Sequence, residues 1–193
     1  HECVDPVVAI VGMVQAVQLL NAEHRQLGLP AIGVGVGLNT GTMCVGDMGS
    51  DIRRSYTVIG DAVNLGSRLE GLCKVYGVEI VVSESTHAQA PGFVWQELDR
   101  VCVKGKEQAV AIYRPIAPVG TLTATQQHAL DVWHEWLAAF RAQDWPRCDT
   151  LWPAVRAADH APALLAFYEQ RLQAQRVLPY NPGWDGATHF DTK

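Results

Sequence analysis

A chain of 193 residues, 48% hydrophobic and 18% charged, is long enough to bury a real core and suits one domain with an appendage. Its net charge of −5, with no Lys/Arg run, gives the bulk surface no electrostatic reason to seek phosphate backbones, so nucleic acid is not an expected partner. Five dispersed cysteines (Cys3, Cys44, Cys73, Cys102, Cys148) with no C-x-x-C pair argue against a disulfide framework or a zinc knuckle, and fit a reduced, cytoplasmic compartment.

From Val7 to Gly28 the apolar residues Ile10, Val11, Val14, Val17, Leu19 and Leu20 recur at three- and four-residue spacing, which predicts an amphipathic helix ended by Gly28 and Pro30. Its longest apolar run, Val7 to Met13, is far shorter than a bilayer crossing and has no charged leader, so this segment is not expected to contact a membrane. Ile32, Val34, Val36 and Leu38 then alternate with glycines, and Asn39-Thr40-Gly41 precedes a second extended run, Met43 to Val45. This pattern predicts a hairpin. An extended piece, Ser55 to Ile59, leads through Gly60 and Asp61 into a helix bearing Val63, Leu65, Leu69 and Leu72, closed by Gly77. A buried strand (Val78 to Val82), a short helix begun by Ser83 or Ser85, two strands around Val94 and Val101, and a last strand from Ala109 to Tyr113 complete a unit that is α/β or α+β.

Residues 117–120 read as a linker between this unit, 1–116, and a helical extension, 121–178, whose residues Trp133, Trp136, Leu137, Phe140, Leu164 and Tyr168 fall on helical spacings. Trp133, Leu137 and Phe140 faintly suggest a tetratricopeptide-like hairpin. Residues 179–193, rich in Pro and Gly, read as an irregular tail.

The chemistry sits in G-x-N-T-G (Gly37 to Gly41), V-G-D-M-G-S (Val45 to Ser50), R-R-S-Y-T-V-I-G-D-A-V-N (Arg53 to Asn64), S-R-L-E (Ser67 to Glu70) and V-K-G-K (Val103 to Lys106). Asn64 and Arg68 are four apart on the predicted helix, so a carboxamide and a guanidinium project from one face as a fork of donors suited to a phosphoryl oxygen. Taken alone, the pair reads as ordinary polar residues on a solvated helix face, and only the surrounding motifs reverse that reading. Gly33, Gly35 and Gly37 alternate with strand residues, the wrong setting for a dinucleotide loop, and read as sites of close backbone approach.

In order and spacing, these motifs resemble class III adenylate and guanylate cyclases over Val7 to about Pro115. The resemblance implies a ferredoxin-like class III nucleotide cyclase domain, N-terminally truncated and followed by a small all-α tail. It implies that the parent protein is an adenylate cyclase, a phosphorus-oxygen lyase converting ATP to cyclic AMP and pyrophosphate for intracellular signalling, with composite sites between two cyclase domains in a homodimer. By the same resemblance Asn64 orients the ribose and Arg68 stabilises the transition state, Thr57 selects adenine, and Lys104 reaches the terminal phosphates. Thr57 also reads as a β-branched packing residue, and Lys104 as a solvated hairpin lysine. Family members hold two Mg²⁺ or Mn²⁺ ions on two aspartates that fall upstream of the opening helix, and Asp61 stands in the phrase that is not the metal-binding one, so it is expected to cap or stabilise its helix. Because the chain opens at His1 and carries no substitute carboxylate pair, it is expected to be a piece of a longer protein and inactive alone. Membrane anchoring of the parent through upstream segments stays open. Two alternatives differ in class: a non-catalytic cyclase-like module that binds a nucleotide or dimerises, and an interaction module built on the aromatic-rich extension.

Overall fold

The computed structural model describes residues 6–50, 53–103, 108–158 and 160–190. In chain order the elements are α1 (Pro6–Gln26), β1 (Val36–Leu38), β2 (Cys44–Ser50), β3 (Arg53–Ile59), α2 (Asp61–Tyr76), β4 (Ile80–Ser83), α3 (Glu84–His87), β5 (Phe93–Val103), β6 (Val110–Pro118), α4 (Ala124–Arg141), α5 (Trp145–Ala157), α6 (Pro162–Arg176) and β7 (Thr188–Phe190). The result is an α+β fold with a five-stranded mixed sheet in the order β1-β4-β6-β5-β7, and a separate two-stranded ribbon of β2 and β3.

Strand β4 explains the layering. Its Ile80, Val81 and Val82 form a continuous β-branched run, as a strand covered on both faces requires. Ile80 and Val82 join Val7 and Val14 of α1 with Phe93 and Trp95 on one face. On the other face Val81 joins Leu65, Leu69 and Leu72 of α2, together with the aromatic residues of α4 and α6.

Two expectations about strands change. The hairpin expected across Asn39 to Gly41 does not form: β1 pairs in parallel with β4, Val36 opposite Ile80, while β2 pairs with β3. A tertiary contact decides this, because the strand carrying Gly37 lies so close to α2 that an added Cβ would sit 2.2 Å from the Gly66 oxygen. The two strands expected around Val94 and Val101 are one strand, β5, with a bulge between Glu97 and Asp99 against β6.

That bulge is where the helical extension attaches. A bulge releases backbone groups from the ladder, and side chains of the extension take them up. Trp133 Nε1 donates to the Glu97 oxygen at 2.7 Å, the Glu97 N–H donates to His134 Nε2 at 3.1 Å, and Tyr168 Oη donates to the Leu98 oxygen at 2.8 Å. Burial holds His134 below the ordinary histidine range, in keeping with a neutral ring that accepts this bond. Strand β6 runs on to Pro118, into the stretch expected to begin a linker. Thr123 then starts α4 with a reciprocal capping box to Gln126. The stretch expected to be irregular carries β7, which pairs in parallel with β5.

Below the bulge, Asp99 is fully buried. Its carboxylate accepts from Tyr76 Oη of α2 at 2.9 Å, from Arg171 Nη1 of α6 at 3.1 Å and from the hydroxyl of Thr188 on β7. The Arg171 guanidinium also lies over the rings of Phe140, Tyr168 and Phe167 at 5.1 to 5.6 Å. One buried carboxylate therefore ties α2, α6 and β7 to the sheet.

By length and composition α1 could cross a membrane, with a hydropathy of 1.4 over its most apolar window. In the structure it also contacts the domain: Val7 and Val14 enter the core, and Asn21 exchanges two hydrogen bonds with the backbone of Ile32.

Candidate functional site

The geometry around α2 starts with glycines. Gly37 and Gly41 have no side chain to hold off the helix: an added Cβ at Gly37 would also lie 2.4 Å from the Glu70 nitrogen, and one at Gly41 would lie 2.7 Å from Cβ of Ala62. Gly35 and Gly37 serve close approach, as their alternation with strand residues predicts, whereas an added Cβ at Gly33 would meet nothing within 4 Å. Between them Asn39 donates to the Ala62 oxygen at 2.9 Å, Ser85 donates to Asn39 Oδ1 at 3.1 Å, and the Thr40 and Thr86 hydroxyls are 2.9 Å apart. The G-x-N-T-G segment is thus a bracket that fixes the first turns of α2 against β1 and α3.

On the helix so fixed, Asn64 is exposed and Arg68 half-buried, one turn apart on one face. Among the described residues no carboxylate pairs with Arg68 and no hydrogen bond holds the Asn64 side chain. Leu65 and Leu69, one position on from each, are buried in the core. The same helical period therefore anchors one face and presents the other. Gly66 does not crowd this arrangement, since an added Cβ would meet nothing closer than 3.9 Å. Gly60 occupies the N-cap and Asp61 the first turn, so of the two expected roles Asp61 takes the stabilising one, a negative charge at the helix's positive end.

Thr57 is on β3, opposite Gly46 of the ribbon, and is exposed. The ribbon leads directly into α2, and among the described residues no hydrogen bond links Thr57 to Asn64 or Arg68. Lys104 lies outside the described residues. The structure thus puts Asn64 and Arg68 on one face of α2 and Thr57 on the strand that leads into that helix. A 510 Å³ cleft opens elsewhere, between α1, α4 and the start of α6, and none of these residues lines it.

A pair of hard divalent ions needs convergent carboxylates. Among the described residues one group of three metal-capable side chains converges, Cys102, Asp185 and His189. It belongs to β5, β7 and the turn before β7, at the sheet edge opposite β1. The residues around Asn64 and Arg68 do not fit a two-ion site, and no metal-dependent step follows from them.

Sequence reasoning did not single out the side chains that hold this geometry, Ser85, Thr86, Tyr76 and Asp99. Asp99 is the most consequential, and only its burial distinguishes it from a surface aspartate on a strand.

Comparison with known proteins places this geometry. The family model described as "Adenylate and Guanylate cyclase catalytic domain" matches residues 6–114. An adenylate cyclase of Anabaena cylindrica is 42% identical over 113 residues, which make up 54% of this chain and 22% of that protein. Adenylate cyclase 1 of Rhizobium meliloti is 34% identical over 113 residues, 58% of this chain and 17% of that protein. The crystal structure of the adenylyl cyclase CyaB from P. aeruginosa aligns with a TM-score of 0.50 at 30% identity, covering 58% of each chain. The chain thus spans about a fifth of the length of these curated relatives.

Proposed function

Since this chain belongs to the adenylate and guanylate cyclase catalytic domain family, we propose that it supplies the transition-state half of an adenylate cyclase site. The observation that supports this is the Asn64–Arg68 pair: two donors on a helix clamped by Gly37, Gly41 and Asn39, with no internal partner among the described residues.

In the proposed reaction the ribose 3′-oxygen of ATP bonds to the α-phosphorus, the bond from that phosphorus to the β-bridging oxygen breaks, and pyrophosphate leaves with the electron pair. The 3′-hydroxyl proton passes to solvent water in the same process. Charge grows on the non-bridging oxygens of the α-phosphoryl group. Arg68 meets that charge with a preorganised guanidinium, and Asn64 holds the ribose so that the 3′-oxygen stays in line. Preorganisation matters because a side chain already fixed by its helix need not reorient as the charge develops. Thr57, whose hydroxyl both donates and accepts, reads the exocyclic amine of adenine, and Lys104 reaches the terminal phosphates.

The site is completed by a second cyclase domain. Supporting this, Tyr56 is 76% exposed on the ribbon and Val45 51%, more apolar surface than an isolated two-stranded ribbon is expected to leave in water. Mg²⁺ or Mn²⁺ ions are held by carboxylates outside the Asn64–Arg68 half, and this chain by itself forms no cyclic AMP.

The test measures cyclic AMP from ATP with Mn²⁺ on two samples, this chain and a complete cyclase domain containing it, each with and without Arg68→Ala. The complete domain is expected to lose about 10²- to 10³-fold in kcat with Arg68→Ala, at unchanged circular dichroism. Equal turnover by the variant overturns the assignment of Arg68. Turnover by this chain alone overturns the half-site reading. ATP binding without turnover by the complete domain points instead to a nucleotide-binding module.

A further inference from the structure

At the β7 edge of the sheet, three side chains of different donor chemistry meet, and none of them takes part in the proposed reaction. Cys102 on β5 and His189 on β7 are partners in the parallel ladder. Asp185 comes from the turn that enters β7. The cysteine sulfur, an imidazole nitrogen and a carboxylate oxygen lie within 4.8 Å of one another. Bonds of about 2.0–2.3 Å to one small cation would bring such donors to within about 4 Å of each other, a small contraction from that spread.

The turn presenting Asp185 is held in place. The Gly183 N–H donates to Asn181 Oδ1 at 2.9 Å, and the Ala187 N–H donates to Asp185 Oδ1 at 2.9 Å. Gly186 is left-handed, with φ of 71°, and Arg171 Nη2 donates to its oxygen at 3.2 Å. Arg171 is itself fixed on the buried Asp99, which also accepts from Thr188. The donors therefore hang from a sheet and a fastened turn, the support a metal site requires.

The donor set selects the ion. A cysteine sulfur is a poor ligand for Mg²⁺ or Ca²⁺, whereas sulfur, imidazole and carboxylate together suit Zn²⁺ and its borderline neighbours. Cys102 is buried while Asp185 and His189 are exposed, so the group is closed on the sheet side and open to water on the other. Asp185 also stands at the wall of a 220 Å³ cavity shared with Glu84, Glu97 and Arg100.

We propose that Cys102, Asp185 and His189 bind one Zn²⁺-class divalent ion, leaving a fourth position to water, and that the ion fastens β7 to β5. The site is separate from Asn64 and Arg68, and its occupancy stabilises the end of the chain rather than catalysing cyclisation. Thr188 links this strand to the Asp99 network, so the ion adds a second clamp to a network that already holds α2 and α6.

Co²⁺ is the probe, because a thiolate–Co²⁺ bond absorbs in the near ultraviolet. Titrating the full, reduced chain is expected to give a band that saturates at one equivalent and is displaced by Zn²⁺ but not by Mg²⁺. Cys102→Ser removes the band. Asp185→Asn and His189→Ala, both at exposed positions, weaken Co²⁺ binding at least about 10-fold with unchanged circular dichroism. If Cys102→Ser does not fold, these two variants decide the question. The absence of a band, a band that survives Cys102→Ser through the exposed Cys44, or full affinity in both exposed-site variants overturns the proposal.

Discussion

Leu19 on α1 and Trp136 on α4 are both large apolar residues on long helices, yet Leu19 is 70% exposed and Trp136 has no exposed surface. The contrast extends to their surroundings. α1 and the β2–β3 ribbon leave Val8, Met13, Val45 and Tyr56 open, whereas α4 and α6 bury Trp133, Leu137, Phe140, Leu164 and Tyr168 in a cluster that continues into α2 and the sheet. The C-terminal helices are thus part of the domain's own core, and their polar groups complete the β5 bulge. Of the two open regions, the ribbon is the one that leads into α2 and the proposed site.

Breaking the Asp99 hub tests the buried side of this contrast most severely. Asp99→Ala leaves Arg171 buried without its carboxylate partner, a change expected to cost about 3–5 kcal/mol in denaturant unfolding. A loss below about 1 kcal/mol would mean that the extension is only loosely joined to the sheet. Tyr168→Phe keeps the ring and removes its bond to the Leu98 oxygen, and the expected cost is about 1–3 kcal/mol by the same measurement.

His134 supplies a pH-dependent form of the test. Its folded pKa is held down by burial, so its contribution to stability is complete above the unfolded value of about 6.5 and is lost as pH falls from there through the folded pKa. Melting temperatures recorded from pH 7.5 to pH 5 should decline, and His134→Gln should flatten that part of the decline. An identical slope in the variant would remove His134 from the bulge account.

The smallest effect belongs to the exposed side. Tyr56→Ser on the ribbon should change the unfolding free energy of the isolated chain by no more than about 0.5 kcal/mol. In the complete domain the same change should weaken self-association, measured by sedimentation. Strong destabilisation of the isolated chain would instead mean that the ribbon packs on its own core.

Much of the site could be read from local pattern. Asn64 and Arg68 share a face because they are four apart on a helix, and Gly77 ends that helix in the left-handed conformation with φ of 65°. Gly37 had to be a glycine wherever a strand crosses a helix this closely, and the alternation from Ile32 to Leu38 already implied close approach. Of the two roles expected for Asp61, the structure gives it the charge at the helix's positive end, because Gly60 stands at the cap.

What the sequence determined by itself was the set of elements, their periodicity and the donor fork of α2, because helical and strand periods act over a few residues and leave their mark in each segment. Tertiary structure alone decided that β1 pairs with β4 rather than with β2, that Leu98 bulges out of β5, and that Trp133, His134 and Tyr168 close that bulge from some 36 to 70 residues away. It also decided that Asp99 is a buried hub rather than a surface charge. The physical reason is that each rests on a partner distant in sequence: at the bulge, a backbone group left over in one element is satisfied by a side chain whose own local pattern says only that it is aromatic, polar or buried.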